Sequence, residues 1–96
     1  MSISASLMIC ERYLDKPMLL KVANSIRKFQ HVYEDSWNAE KRSYEKTMEQ
    51  VAEEVVKLVG LEEMWVGILF EWNWTAWNDV GGWAELIIKA HGENNA

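Results

Sequence analysis

Two regularly spaced rows of apolar residues constrain the fold of this chain more than any other feature. The first row has spacings of three, four, three and four and consists of Leu19, Val22, Ile26, Phe29 and Tyr33. The second row has spacings of four, three, four and three and consists of Tyr44, Met48, Val51, Val55 and Leu58. Such spacing places each row on one face of an α-helix. The sequence therefore predicts two amphipathic helices that pack on each other.

Local signals indicate where these helices begin and end. Asp15 can accept hydrogen bonds from the first amides of a helix, and Pro17 fits its first turn, where no backbone N–H is needed. Asp35 or Ser36 could cap the helix of the second row in the same way. Gly60 follows that row and suits the left-handed residue that often ends a helix.

The first residues and the last third of the chain are harder to assign to helix or strand. Residues 2–10 and 65–75 show both helical spacing and the alternation typical of strands, so an α+β fold in which they pair stays open as the alternative. We favour a helix for residues 5–14. Residues 78–82 contain two glycines and predict a turn, and residues 83–91 predict a short final helix.

The length limits the chain to one domain. A chain of 96 residues with eleven aromatic residues can bury a core without cross-links. The predicted fold is all-α, a single-domain bundle of four or five helices over residues 1–92. Residues 93–96 are predicted to form a frayed tail.

Few residues are suited to catalysis or metal binding. Cys10 is the one cysteine, and the two histidines are His31 and His91, so no cysteine-based zinc site can form. Cys10 and His31 could meet in space as nucleophile and base, but any chain with one cysteine and a histidine allows such a pair, and no catalytic motif or phosphate-binding loop is present. We therefore expect a protein that is not an enzyme and holds no metal or cofactor. The unpaired cysteine, the absence of a signal peptide and the absence of a long apolar run predict a cytoplasmic protein without a membrane partner.

Charge is distributed unevenly along the chain. Residues 1–46 carry eight basic and six acidic residues, whereas residues 47–96 carry two basic and nine acidic residues. An acidic surface disfavours direct nucleic-acid binding and suits a partner with a basic surface. The acidic residues chosen as candidates for that contact are Glu53, Glu54, Glu62 and Glu63.

Tryptophan is concentrated in the last third of the chain. Five of the six tryptophans fall within nineteen residues, and they are Trp65, Trp72, Trp74, Trp77 and Trp83. A straight helix would place Trp65 and Trp72 on one face and Trp74 and Trp77 on another. Three interpretations stay open: core packing, anchors of a protein interface, or the walls of a pocket for a flat ligand.

Together these features predict a non-enzymatic protein-interaction module. An acidic chain of this size suits a small inhibitor or adaptor, and one form of it is a phage-type inhibitor that occupies the basic groove of a nucleic-acid-handling host enzyme. The alternative is a protein that sequesters a nucleotide or an aromatic metabolite in a tryptophan-lined pocket. Self-association is a further expectation, because one small domain cannot easily hide so much apolar surface.

Overall fold

The computed structural model describes the backbone of residues 3–92 and the side chains of residues 5–92. Its elements in chain order are α1 (Ile3–Tyr13), α2 (Lys16–Asp35), β1 (Trp37–Asn38), β2 (Ser43–Tyr44), α3 (Met48–Val59) and α4 (Trp65–Ile87), and a π-helical turn over Ile88–Gly92 follows α4. The predicted helical bundle is confirmed, with a two-stranded antiparallel hairpin added between α2 and α3. The tail predicted for residues 93–96 lies outside the described residues.

The signals at the ends of α2 and α3 act as predicted. The carboxylate of Asp15 accepts a hydrogen bond from the Met18 N–H at 2.9 Å, and Pro17 lies in the first turn of α2. Gly60 has φ 77°, a left-handed conformation, and its N–H donates to the Val56 carbonyl. Asp15 and Gly60 thereby pair backbone groups that the ends of a helix leave unpaired, and Pro17 has no N–H to pair.

The start predicted for α3 is wrong. Neither Asp35 nor Ser36 caps it, because the hairpin comes between and the helix begins at Met48. Thr47 is the N-cap: its hydroxyl accepts from the Gln50 N–H at 3.1 Å, and the Gln50 side chain accepts from the Thr47 N–H at 2.9 Å. This reciprocal pair fixes the first turn of α3.

The hairpin is short but well bonded. Trp37 pairs with Tyr44 across the two strands. The side-chain oxygen of Asn38 accepts from the backbone N–H groups of Glu40 and Lys41, both at 3.0 Å, and so closes the turn. Tyr44, predicted to begin the row of α3, therefore lies in a strand instead of a helix.

The core lies among α2, α3 and α4. Its fully buried apolar residues are Val22, Ala23, Ile26, Phe29, Val51, Ala52, Val55, Leu69, Val80 and Ala84. Full burial of a large apolar side chain stabilises a fold by about 1.5–3 kcal/mol. Leu58 belongs to the second row by spacing, but it is exposed, because the row drifts away from the buried face in the last turn of α3.

Helix α4 covers both the segment 65–75, for which a strand was the alternative, and the segment 78–82, which was predicted to be a turn. Residues 3–10 and 65–75 are helical, so they do not pair as strands. The predicted turn at residues 78–82 is wrong because Val80 is fully buried and carries the apolar face of α4 through this segment. Gly81 serves close packing instead, since a Cβ there would lie 2.7 Å from the side-chain oxygen of Gln30. The short helix predicted for residues 83–91 is the end of α4 and the π-helical turn.

A break in helical geometry divides α4 at Ala76, which has φ −147° and ψ 48°. On the preceding turn, the side chains of Asn73 and Thr75 donate to backbone carbonyls four residues earlier, at 2.9 and 2.7 Å. Such bonds compete with the backbone ladder and bend helices. After the break, the Gln30 side-chain N–H donates to the Trp77 carbonyl at 2.7 Å and ties α2 to the second half of α4.

Candidate functional site

The five candidate tryptophans do not share one surface. Trp65 and Trp72 are buried and line a groove with residues of α1, and their rings meet edge to face with centroids 6.1 Å apart. Trp77 and Trp83 are partly buried, whereas Trp74 is exposed. The shared face predicted for Trp65 and Trp72 is confirmed, and these two rings are packing residues.

Trp77 belongs to an aromatic series that the sequence did not reveal. Its ring meets Phe29 and Tyr33 edge to face, with centroids 6.2 and 5.8 Å away. Tyr33 in turn stacks on Tyr44 at 4.0 Å, and Tyr44 meets Trp37 at 5.0 Å. Burial, and the charges of Tyr44 and Glu34, raise the pKa of Tyr33. The series, named here the hairpin array, connects the hairpin to the core.

Trp74 lies on the outer face of α4, and 68% of its surface is exposed. Its indole stacks on Phe70, one turn earlier, with centroids 6.4 Å apart and ring planes 6° apart. The shared face predicted for Trp74 and Trp77 is wrong, because the break at Ala76 lies between them and Trp77 packs on α2. The contact between Phe70 and Trp74 could have been predicted from the sequence, because residues four apart are neighbours on a helix surface.

Trp83 connects the first and last helices. Its indole N–H donates to the Glu11 carboxylate at 2.5 Å. A buried or half-buried indole needs such a partner, and a carboxylate makes the hydrogen bond a strong one. The contact places Trp83 in the attachment of α1 to α4, away from Trp74.

The four candidate acids also divide into separate places. Glu53 and Glu63 line a shallow hollow of about 510 Å³ between α3 and the start of α4, together with Lys57, and Glu62 is exposed in the link before it. Glu54 lies elsewhere, with its carboxylate 3.0 Å from the ammonium of Lys46, near the hairpin. The structure thus brings together Glu53 and Glu63, and Glu54 is neutralised by its neighbour.

This hollow and the pair of half-buried Phe70 and exposed Trp74 lie on one side of α4. Val66 lines the hollow, and Phe70 and Trp74 follow it at intervals of four residues. Residues four apart are neighbours on a helix surface. We name this surface the outer strip, and it consists of Glu53, Glu63, Val66, Phe70 and Trp74.

A second concave surface lies between α1 and α4. This groove has a volume of about 490 Å³, and its lining is mainly apolar: Ser6, Ile9, Cys10, Trp65, Gly67, Ile68, Glu71 and Trp72. Burial, and then the charge of Glu11, raise the pKa of the Cys10 thiol, which favours the unreactive neutral form. His31 lines a different hollow, on α2, so the fold does not unite Cys10 and His31 as a catalytic pair.

Other kinds of site are not evident in residues 5–92. In this part of the chain, no three His, Cys, Asp or Glu side chains converge as a metal site requires. No helix among the described residues has the length and apolar character needed to cross a bilayer.

Comparison with known protein families, curated proteins and solved structures finds no significant match. The outer strip, with its exposed indole, and the groove, with its mainly apolar lining, are the candidate binding surfaces.

Proposed function

We propose that this chain is a non-enzymatic protein-interaction module, an inhibitor or adaptor that binds a partner protein through the outer strip. The observation that carries the proposal is the exposed Trp74 stacked on Phe70. The single cysteine fits a reducing compartment, so we expect the partner to be met in the cytoplasm. We do not expect direct binding of nucleic acid by an acidic surface.

The geometry of Trp74 suits an anchor. Tryptophan is enriched among the residues that contribute most to interface affinity, because it buries a large area with only two side-chain torsions. Stacking on Phe70 already restricts the indole, so less conformational freedom is lost when a partner covers it. Nothing in the core requires this ring, since it lies on the outer face of α4.

The acids of the outer strip define the chemistry of the partner. Glu53 and Glu63 lie at one end of the strip, where Lys57 offsets one negative charge and the exposed Glu62 adds another, so the local charge stays negative. A partner with a basic rim around an apolar pocket would be attracted and oriented by these carboxylates. The groove of a nucleic-acid-handling enzyme has this character, and occupying it would exclude the nucleic acid.

The first experiment compares Trp74→Ala with Leu86→Ala, because Trp74 and Leu86 are equally exposed at 68% and both lie on α4. The partner is isolated by affinity capture from host lysate, purified, and titrated against each variant by calorimetry. We expect Trp74→Ala to cost about 2 kcal/mol of binding free energy or more, roughly 30-fold in Kd, and Leu86→Ala to bind as wild type. If both variants bind the partner with equal affinity, the partner does not bind through the outer strip.

The electrostatic part of the proposal is tested by charge reversal. Glu53→Lys combined with Glu63→Lys should lower the association rate and reduce its dependence on salt. The matched control reverses Glu34 and Glu40, two exposed acids outside the strip. If both double variants slow association equally, net charge and not the outer strip attracts the partner.

A second candidate function rests on the groove between α1 and α4. Its volume of about 490 Å³ and its two tryptophans suit a flat apolar ligand such as an aromatic metabolite. A ligand at 100 times its Kd would add about 2.7 kcal/mol of stability, which a thermal-shift panel of nucleotides and aromatic metabolites would detect. A positive result that is lost in Ile68→Trp, which fills the groove, would favour sequestration.

A further inference from the structure

The groove between α1 and α4 combines an apolar lining with a single negative charge. Its apolar lining includes the buried rings of Trp65 and Trp72 and the more exposed side chains of Ile9 and Ile68. Glu71 is the one charged residue among the described residues of the lining, and its carboxylate forms no ion pair with another described residue. An apolar ligand in this groove would therefore lie beside a negative charge that no cation of the described chain neutralises.

The surroundings of the groove do not favour an anion. No lysine, arginine or histidine of the described chain lines it. Arg12 lines the neighbouring hollow, which shares Ile9 with the groove, and Glu11 in the same hollow offsets its charge. The first two amides of α4, which begins beside the groove, donate to the carbonyls of Glu62 and Glu63 at 2.9 and 3.0 Å. The charge at the groove therefore repels the phosphate of a nucleotide and attracts a cation.

We propose that the groove binds a small amine that carries an aromatic ring. The ring lies between α1 and α4 against the apolar lining, and the protonated amine meets the Glu71 carboxylate. Gly67, which also lines the groove, leaves room for such a ligand, because a Cβ at this position would have no packing neighbour within 4 Å. The ligand class rests on the second candidate function, sequestration of a small molecule, and narrows it from nucleotides and aromatic metabolites to aromatic amines.

The experiment compares three compounds that share a phenyl ring and a short chain but differ in charge. Phenethylamine is a cation at neutral pH, phenethyl alcohol is neutral, and hydrocinnamate is an anion. Each is titrated into the full chain, and its Kd is obtained from the shifts of the amide NMR signals. We expect the amine to bind about fivefold more tightly than the alcohol, as an exposed ion pair allows, and the carboxylate to bind most weakly. Added salt should reduce the difference between amine and alcohol, because it screens exposed charges.

Substitutions of Glu71 test whether this carboxylate sets the preference. Glu71→Gln keeps the shape of the side chain and removes its charge, so the amine should bind no more tightly than the alcohol, whose Kd should not change. Glu71→Lys should reverse the order of the three compounds. The matched control is Asp79→Asn, which removes the charge of an exposed acid of α4 that does not line the groove. If Asp79→Asn abolishes the preference as fully as Glu71→Gln does, net charge and not the groove attracts the amine.

Two further variants test whether the compounds bind in the groove. Ile68→Trp fills it, and Gly67→Leu adds a side chain where the structure has space, so each should weaken binding of all three compounds. Circular dichroism verifies that each variant is folded. If the alcohol binds in the groove and the amine binds no more tightly, the ligand class is wrong and sequestration of a neutral ligand stands. If the carboxylate binds most tightly, the ligand class is also wrong. If none of the three compounds binds, both the ligand class and the sequestration function are wrong.

Discussion

The two groups of aromatic residues in this molecule differ in how they are supported. The hairpin array runs through five rings, from the exposed Trp37 through Tyr44, Tyr33 and Trp77 to Phe29, which is completely buried. Each ring touches the next, so the array attaches the hairpin to the core. Its aromatic residues are used to build the fold.

The pair of Phe70 and Trp74 has no such continuation. Phe70 packs against the edge of the core, and Trp74 stacks on it and then meets solvent. Among the described residues, no third ring contacts this pair. The comparison teaches that tryptophan content alone does not identify a binding surface. The contacts and the burial of each ring distinguish a ring that supports the fold from one that is exposed and able to bind a partner.

The largest effect is expected at the centre of the hairpin array. Trp77→Ala removes the ring that joins Phe29 to Tyr33 and leaves a cavity beside the core, so we expect a loss of about 3 kcal/mol in the free energy of unfolding. Urea denaturation followed by circular dichroism measures it, with Trp74→Ala as the control. A loss below about 1 kcal/mol would mean that the array does not support the fold.

A smaller effect is expected at the outer part of the same array. Tyr44→Ala removes the stack on Tyr33 and the edge contact with Trp37, each worth about 0.5–1.5 kcal/mol. We expect a loss of about 1–2 kcal/mol in the same urea assay. Tyr13→Ala, which removes a ring that is 74% exposed on α1, is the matched control and should change stability by less than about 0.5 kcal/mol. Equal losses of unfolding free energy in the two variants would mean that the rings of the hairpin array support the fold no more than an exposed ring does.

The smallest effect is expected at the exposed Trp74. Trp74→Ala should change the free energy of unfolding by only about 0.5 kcal/mol, because the ring contributes one stacking contact and little burial. Thermal unfolding followed by calorimetry gives the value. A loss above about 1.5 kcal/mol would assign Trp74 a structural role and weaken the proposed function.

The parts of the fold that the sequence predicted correctly are those governed by local chemistry. The start of α2 follows from Asp15 and Pro17, and the end of α3 follows from Gly60, because each residue acts on backbone groups a few positions away. The start of α3 could also have been found, since Thr47 and Gln50 form a recognisable capping box. The start of α3 was placed too early because Tyr44 continues the helical spacing of α3, although it lies in a strand.

The rest of the fold depends on contacts between distant residues. Two glycines in residues 78–82 predicted a turn, but burial of Val80 and the approach of Gln30 to Gly81 keep the segment helical. Tertiary packing here outweighs local propensity. No pattern in the sequence indicates that α2 lies on this side of α4.

The candidate site was predictable only in outline. Helical spacing correctly grouped Trp65 with Trp72, but spacing does not indicate which face is covered by another element. It also cannot anticipate the break at Ala76, which separates Trp74 from Trp77. The exposure of Trp74 and the burial of Trp65 therefore became known only from the fold.

The attachment of α1 has a consequence for local unfolding. This helix packs chiefly on α4, and only Leu14 and Asp15 separate it from α2. An element that contacts chiefly one neighbour can open without loss of the remaining core, so the amides of α1 should exchange with deuterium sooner than those of α2. Each opening would expose Trp65 and Trp72 to water. The folded molecule would thus spend a small fraction of its time with a broad apolar surface uncovered, which makes the persistence of α1 a determinant of its resistance to aggregation and proteolysis.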